Sequence, residues 1–115
     1  MFTKKAAVIN PKIEPIVREF KQALQRLYGD RLHDVVLYGS YARGDYDDES
    51  DIDLMVLLND DTVDTIAEVF RITEVETDLM LKYGLPISPL PVAWTRYQTS
   101  VMPVYQEARR EGLLV

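Results

Sequence analysis

The 115-residue sequence contains no cysteine, a single histidine and no long run of apolar residues. Without cysteine the chain has no disulfide framework and no thiolate metal site, which fits the reducing cytoplasm, the location we expect. A lone histidine, His33, argues against a zinc site or a histidine-based catalytic triad. The apolar runs are too short to cross a bilayer or to act as a signal peptide, so we expect no membrane association.

Basic charge is also scarce, because 13 Lys and Arg stand against 19 Asp and Glu, for a net charge of −6. Proteins that bind nucleic acid through many phosphates usually present a basic face, and here the basic residues are scattered. We therefore expect no direct nucleic-acid binding. A small anionic substrate remains compatible with this charge if a metal ion offsets nearby carboxylates.

The composition and length predict one globular domain over residues 1–115. The hydrophobic content of 47% and the charged content of 28% are those of a folded protein, and the chain is long enough for one modest core. No internal repeat, low-complexity stretch or linker interrupts the sequence.

Apolar spacing predicts three helical regions. The first opens at Asn10-Pro11 and stops at Gly29, and its apolar residues, Leu27 included, recur at three- and four-residue steps. The second is capped by residues 60–62 and runs to about Tyr83, and residues 95–111 form a third helix in two pieces. The predicted buried residues of the second helix are Ile66, Val69, Phe70, Leu79 and Met80.

Three β-branched or apolar segments predict strands over residues 34–38, 52–58 and 87–94. A short polar connection makes the first two antiparallel, and the long helix makes the last two parallel. Pro89 and Pro91 lack N–H groups on the same strand edge, so the last strand should be an edge strand. The predicted class is α/β (α+β), with a small mixed three-stranded sheet flanked by helices.

One segment, between the first two predicted strands, carries the residues that could hold a phosphate and a metal. Gly39 lets the backbone approach a ligand, and Ser40 offers a hydroxyl and backbone N–H groups where a short helix begins. Arg43 follows one turn later and could contact a phosphate. Asp51 and Asp53 project to one face of a strand. Such carboxylates repel each other unless a hard cation such as Mg²⁺ lies between them.

Each half of this pattern is an ordinary feature on its own, since Gly-Ser after a strand is mostly a turn and Asp-x-Asp is mostly solvated charge. All four residues at fixed spacing coincide by chance on the order of once in 10⁵ placements. An antiparallel hairpin would bring the two halves together. A phosphate cradle beside a metal pair is suited to phosphoryl-type transfer.

Gly39-Ser40, ten residues and then Asp51-x-Asp53 resemble the signature of the minimal nucleotidyltransferase (MNT) family of the DNA-polymerase-β-like superfamily. The string Gly-Ser-Tyr-Ala-Arg-Gly…Ser-Asp-Ile-Asp-Leu is similar as well, and the order of elements agrees over nearly the whole chain. The resemblance implies the nucleotidyltransferase (polymerase-β-like) fold. It also implies that Gly39 and Ser40 bind the nucleotide, that Arg43 supports its phosphates, and that Asp51 and Asp53 are catalytic and bind Mg²⁺, with ATP as substrate.

Many stand-alone MNT proteins are antitoxins that are paired with a HEPN-domain ribonuclease toxin and can transfer AMP to a toxin tyrosine. The resemblance therefore implies an AMPylating antitoxin with ATP and a HEPN-domain protein as partners, as an oligomer or a hetero-complex. Two alternatives are a silent antitoxin that acts by binding and a transferase for a small-molecule hydroxyl. The DNA-polymerase-β-like superfamily commonly has a third carboxylate on the next strand. Residues 85–94 have none, so Ser88 or Leu90 takes that position, and the chain is expected to act with one metal, to borrow a group from its partner or to be weakly active.

Several other side chains admit two interpretations. The acidic residues of loop 45–50 either complete the metal site or are solvated. His33 is either a base or a structural residue, and Tyr41 either stacks on adenine or packs against the protein. The aromatic residues near the C-terminus form either a partner surface or part of the core; they are Trp94, Tyr97 and Tyr105.

Overall fold

Strands and helices alternate along most of the chain, and two helices follow each other before the last strand. The structure, a computed structural model, describes residues 4–5 and 9–115. Its elements in chain order are β1 (Lys4–Lys5), α1 (Glu14–Tyr28), a 3-10 turn (Gly29–Arg31), β2 (Leu32–Tyr38), α2 (Ser40–Arg43), β3 (Ile52–Leu58), α3 (Thr65–Tyr83), β4 (Ile87–Ala93), α4 (Trp94–Thr99), α5 (Pro103–Glu111) and β5 (Leu113–Leu114). None of the described helices combines the length and the apolar character that crossing a membrane requires.

The described residues form a five-stranded sheet in the order β1-β5-β2-β3-β4. As predicted, β2 and β3 are an antiparallel hairpin, and β3 and β4 run parallel on either side of α3 in the chain. The predicted class, a mixed sheet flanked by helices, is confirmed, but the predicted number of three strands is wrong. The added strands, β1 and β5, are two residues long and pair with each other, and β5 also pairs with β2. Segments so short show no alternating pattern.

β4 is the edge strand that its two prolines predict. Pro89 and Pro91 lie in register with Leu54 and Val56 of β3, and among the described strands none lies beyond β4. The edge that lacks the two N–H groups can therefore face away from the sheet without losing ladder hydrogen bonds. β4 ends at Ala93, one residue earlier than predicted.

α1 begins later than predicted. The carbonyl of Asn10 accepts hydrogen bonds from the N–H groups of Ile13 and Glu14, each at 3.0 Å, but these close a turn that precedes the helix. The helix itself starts at Glu14 and ends, as predicted, before Gly29. Leu27 was expected on the buried side and is 40% exposed, because it lines an open groove between α1 and α3.

The start of α3 also differs from the prediction. Its N-cap is Asp64, whose Oδ1 accepts a hydrogen bond from the N–H of Ala67 at 3.1 Å, whereas residues 60–62 lie in the preceding loop. The helix ends at Tyr83, as predicted, and Gly84 follows in the left-handed conformation.

The predicted buried side of α3 is mostly wrong. Leu79 is 7% exposed and lies in the core together with Ile72, which was not predicted. The other predicted members are exposed or only half-buried: Ile66, Val69, Phe70 and Met80. The physical reason is that α3 has apolar residues on two opposite faces, and the sheet and α1 cover only one of them.

The sheet separates two apolar layers. One layer, on the side of α1 and α3, includes Leu54, and the other, on the side of α4 and α5, includes Met55. β3 contributes to both and is buried along almost its entire length, as its apolar sequence predicted. Tyr97 and Tyr105 are buried in the second layer, and Trp94 packs against it. These three aromatic residues therefore serve the core in this structure.

Candidate active site

The ends of three strands meet at one edge of the sheet, where the predicted site residues lie. β2 ends here at Tyr38, which is paired with Asp53 near the start of β3. β4 also begins here, and its Ser88 is paired with Asp53 from the other side. Side chains in register project to the same face of a sheet. That face is the one covered by α4 and α5, because Met55, two residues after Asp53, packs in their layer.

Gly39 brings the two halves of the motif into contact. Its φ of 74° lies in the left-handed region, which favours glycine. A Cβ atom at this position would overlap Oδ2 of Asp53 and would lie 3.2 Å from its Cγ. Any larger residue would therefore displace the Asp53 carboxylate.

α2 is a single helical turn that follows Gly39 directly. The N–H groups of Ala42 and Arg43 both donate to the carbonyl of Gly39, each at 3.1 Å. The N–H groups of Ser40 and Tyr41, in the first turn, have no acceptor within the helix. The turn thus presents backbone donors and the Ser40 hydroxyl at the same edge as Asp53.

Asp51 and Asp53 lie at the entrance to β3. Asp51 precedes the strand and is exposed, whereas Asp53 is half-buried. Burial raises the pKa of the Asp53 carboxyl, and the nearby charges of Asp51 and Glu107 raise it further, while Arg43 lowers it. The protein alone therefore disfavours the ionised form of Asp53. Two oxygen donors that repel each other fit a divalent cation such as Mg²⁺, which would relieve this repulsion.

Arg43 is bound to carboxylates in this structure. Its Nε donates to Oδ2 of Asp45 at 3.1 Å, and its Nη1 donates to Oε1 of Glu107. The same Nη1 lies 3.6 Å from Oε2 of Glu111. Glu107 and Glu111 are one turn apart on α5, so the C-terminal helix reaches the site through them. The Arg43 side chain is 34% exposed, which leaves it accessible to a ligand.

β4 adds no carboxylate to the pair. Ser88 is the residue in register with Asp53, and Leu90, the next residue on that face, packs in the second apolar layer. Among the described residues, no three histidine, cysteine or carboxylate side chains form a group that could hold a metal ion. With Asp51 and Asp53 as protein ligands, the remaining Mg²⁺ ligands would be phosphate oxygens and water.

His33 lies far from these residues, at the opposite end of β2. Its ring stacks on that of Trp94, with 3.9 Å between the centroids, and its Nδ1 is 3.0 Å from Oδ1 of Asn59. The interpretation of His33 as a base at this site is therefore wrong.

Contacts within the protein account for Tyr41 and for two carboxylates of the acidic loop. Tyr41 is 4% exposed and stacks on Tyr46 with 4.4 Å between ring centroids, so it packs in the core. In the acidic loop, Oδ1 of Asp47 accepts a hydrogen bond from the N–H of Glu49 at 2.9 Å. Asp47 thus stabilises the loop itself, while Asp45 binds Arg43.

The sequence interpretation missed Tyr38, Glu107 and Glu111. Burial, followed by the charges of Asp53 and Glu107, raises the pKa of Tyr38 to about 12. Its position at a strand end, directly before Gly39, could have indicated from the sequence that Tyr38 lies beside the site. Glu107 has no such signal, because it stands 64 positions from Arg43 in a helix that is rich in charged residues.

The sequence profile of the Nucleotidyltransferase domain family matches residues 17–99. The match includes β2, α2, β3 and β4, which build the edge described above. Because it spans well over half of the 115 residues, this chain belongs to the Nucleotidyltransferase domain family.

Two relatives from Methanocaldococcus jannaschii carry the name "putative protein adenylyltransferase". One is 40% identical over 79 residues, which are 69% of this chain and 78% of the relative. The other is 39% identical over 77 residues, which are 67% of this chain and 70% of the relative.

Solved toxin–antitoxin structures have a similar fold. A crystal structure of a toxin–antitoxin with AMP-PNP has a TM-score of 0.56 and 25% identity, over 81% of this chain and 67% of the other. A mutant of the toxin–antitoxin MntA-HpeT has a TM-score of 0.54 and 23% identity, over 87% of this chain and 68% of the other. Together with the profile, they confirm the resemblance to MNT proteins.

Proposed function

We propose that this chain is a Mg²⁺-dependent nucleotidyltransferase that transfers AMP from ATP to a hydroxyl, namely a tyrosine of a partner HEPN-domain toxin. The observation that carries the proposal is the close packing of Gly39 against the Asp53 carboxylate. A phosphate-binding turn and a carboxylate pair at one strand edge are what phosphoryl-type transfer requires. The names of the two relatives and the AMP-PNP complex of the toxin–antitoxin neighbour support an adenylyl donor.

Each motif residue has a role in this proposal. Ser40 and the first-turn N–H groups of α2 bind the triphosphate, and Gly39 allows the close approach. Asp51 and Asp53 hold Mg²⁺, and Arg43 supports the phosphates. When bound, Mg²⁺ would neutralise the charge that develops on the phosphates during transfer.

The proposed reaction is a displacement at phosphorus. The acceptor oxygen forms a bond to the α-phosphorus of ATP while the bond from that phosphorus to pyrophosphate breaks, and pyrophosphate leaves. The proton of the acceptor hydroxyl passes to a base, which we assign to the partner or to solvent because β4 has no carboxylate. This chain contributes positioning and charge complementarity, and we expect a slow reaction.

A transfer assay tests this proposal. The chain is incubated with Mg²⁺, labelled ATP and the product of the neighbouring reading frame, and the partner is examined for one added AMP on a tyrosine. We expect label on the partner with the native chain and almost none with an Asp51→Asn/Asp53→Asn variant. Asp48→Asn is the matched control, since it removes an exposed carboxylate of the neighbouring loop and should leave transfer intact. Full transfer by the double variant would refute the assigned roles.

A second candidate function is stoichiometric inhibition of the toxin without catalysis. The carboxylate-free β4 favours it, and so does the engagement of Arg43 by Asp45 and Glu107. Under this alternative the Asp51→Asn/Asp53→Asn variant would neutralise the toxin as well as the native chain does. The native chain, incubated with the partner and labelled ATP, would give no labelled partner with either Mg²⁺ or Mn²⁺.

A further inference from the structure

α3 presents apolar side chains on the side that faces away from the protein. Its inner face is buried through Ile72 and Leu79, which are 0% and 7% exposed. On its outer face, Ile66 and Phe70 are 72% and 75% exposed. Single exposed apolar residues are common on protein surfaces, but several on one helix face indicate a contact site.

The outer residues follow the spacing of a helix-packing seam. Steps of four, three, four and three residues lead along the helix through Ile66, Phe70, Thr73, Thr77 and Met80. These five residues are called the outer seam. The spacing is that of the a and d positions of a coiled coil, sustained over about 21 Å of helix. None of the five carries a charge, and Leu81, which is 78% exposed, extends the apolar surface beside Met80.

Thr73 does not interrupt this seam. The Thr73 hydroxyl donates to the carbonyl of Val69 at 2.9 Å, so its hydrogen bond is made within the helix. A hydroxyl satisfied in this way can be covered by another helix at little cost. Threonine is also small, which allows a second helix to approach closely at the middle of the seam.

The charges beside the seam select the kind of helix that fits. Glu74 and Glu76 lie about 80° to either side of the Ile66 direction, at the flanking positions that set partner choice in helix pairs. In an antiparallel pair of two α3 helices aligned over the whole seam, each glutamate would face its own counterpart in the other copy. Burial already raises the pKa of Glu76, which makes a like charge opposite it more costly. Lysine or arginine at the flanking positions of the partner would instead be complementary.

We propose that the outer seam binds one helix of a protein partner, a helix with apolar residues at the same four–three spacing and basic residues beside them. The proposal goes beyond nucleotide transfer. The seam is on α3, which packs in the apolar layer on one side of the sheet, whereas the Asp53 side chain projects to the other side, with Met55.

Binding of designed helical peptides to the full chain tests this proposal. The probe is a labelled 21-residue peptide with leucine at the seam positions and lysine at the flanking positions, and its counterpart has glutamate in place of each lysine. We expect the lysine peptide to bind at least tenfold more tightly, by fluorescence anisotropy. Phe70→Glu should weaken this binding at least tenfold. The matched control is Val101→Glu, which adds the same charge at a residue that is 78% exposed outside α3, and it should have no effect.

A charge exchange makes the test specific. In a Glu74→Lys/Glu76→Lys variant the preference should reverse, and the glutamate peptide should become the tighter ligand. Failure of both peptides to bind, or an equal loss in Phe70→Glu and Val101→Glu, would overturn the proposal. So would a dimer of the native chain in sedimentation that Phe70→Glu abolishes, because the occupant would then be a second copy. The assay contains no nucleotide, so its result is independent of whether the chain transfers AMP.

Discussion

Nη1 of Arg43 donates to Oε1 of Glu107, 64 positions further along the chain. This ion pair connects the turn after β2 to the C-terminal helix α5. It also occupies a nitrogen of the arginine that we assign to the phosphates. A bound nucleotide would therefore compete with Glu107 for the same guanidinium group.

Glu107→Gln should strengthen the binding of Mg²⁺–ATP by roughly 2- to 10-fold, because it removes a negative charge from beside both Arg43 and Asp53. Isothermal titration calorimetry would measure the change in Kd. Glu74→Gln is the control, since it removes the same charge from the outer side of α3 and should leave the Kd unchanged. Weaker binding in Glu107→Gln would mean that the ion pair orients Arg43 toward the phosphates.

Asp53→Asn should abolish most transfer and yet raise the melting temperature in the absence of metal by about 1–2 °C at neutral pH. The pKa of Asp53 is raised in the folded protein, chiefly by burial. A carboxyl group whose pKa is raised in the folded state stabilises the fold at pH values below its unfolded pKa. This stabilisation is lost as the pH rises through its folded pKa. The native chain should therefore approach the variant in stability as the pH falls from 7 to 4 in calorimetric scans. A variant less stable than the native chain at pH 7 would contradict this assignment.

Gly39→Ala should destabilise the fold and impair transfer, because its Cβ would displace the Asp53 carboxylate and its φ would be strained. Gly84→Ala is a matched control: its φ of 75° is close to the 74° of Gly39, but nothing lies within 4 Å of its Cβ. We expect a loss of about 1 kcal/mol in the control and of about 2–4 kcal/mol in Gly39→Ala by chemical denaturation. Equal losses would show that the Asp53 side chain can move away from the added Cβ without a loss of stability.

Glu68→Gln should lower the free energy of unfolding by about 1–3 kcal/mol at neutral pH. Glu68 is 7% exposed and accepts hydrogen bonds from Tyr28 at 2.8 Å, Arg71 at 2.9 Å and Arg31 at 3.3 Å. Burial opposes its charge, but these donors outweigh burial and lower its pKa. The stabilisation is thus present above the unfolded pKa of about 4.3 and is lost as the pH falls through the lowered value. Denaturation series at pH 7 and pH 3 should show a larger deficit of the variant at pH 7 than at pH 3.

Much of the fold was predictable because its long elements have clear periods. The hairpin of β2 and β3, the parallel β4 at the edge and the break before α5 all follow from apolar spacing and proline positions. α3 was only half predictable. Its apolar residues fall on two faces, and the sequence does not say which face meets the sheet.

The candidate site was likewise only partly predictable from the sequence. Gly39 and Asp53 were predicted to meet because a short hairpin fixes their separation, and the structure places them in contact. Glu107 and Glu111 were missed because only the packing of α5 on the sheet brings them to Arg43. Acidic residues near the end of a helix carry no sequence mark that separates them from solvated ones.

β3 lies between two full-length strands and between two apolar layers, so it cannot open without separation of the whole sheet. Its amide hydrogens should therefore exchange with solvent only through global unfolding, whereas those of the 45–50 loop should exchange through local opening. The boundary between the segment that exchanges through global unfolding and the segment that exchanges through local opening falls between Asp51 and Asp53. One carboxylate is thus anchored in the slowest-exchanging segment, while the other can adjust to an incoming ligand at little energetic cost.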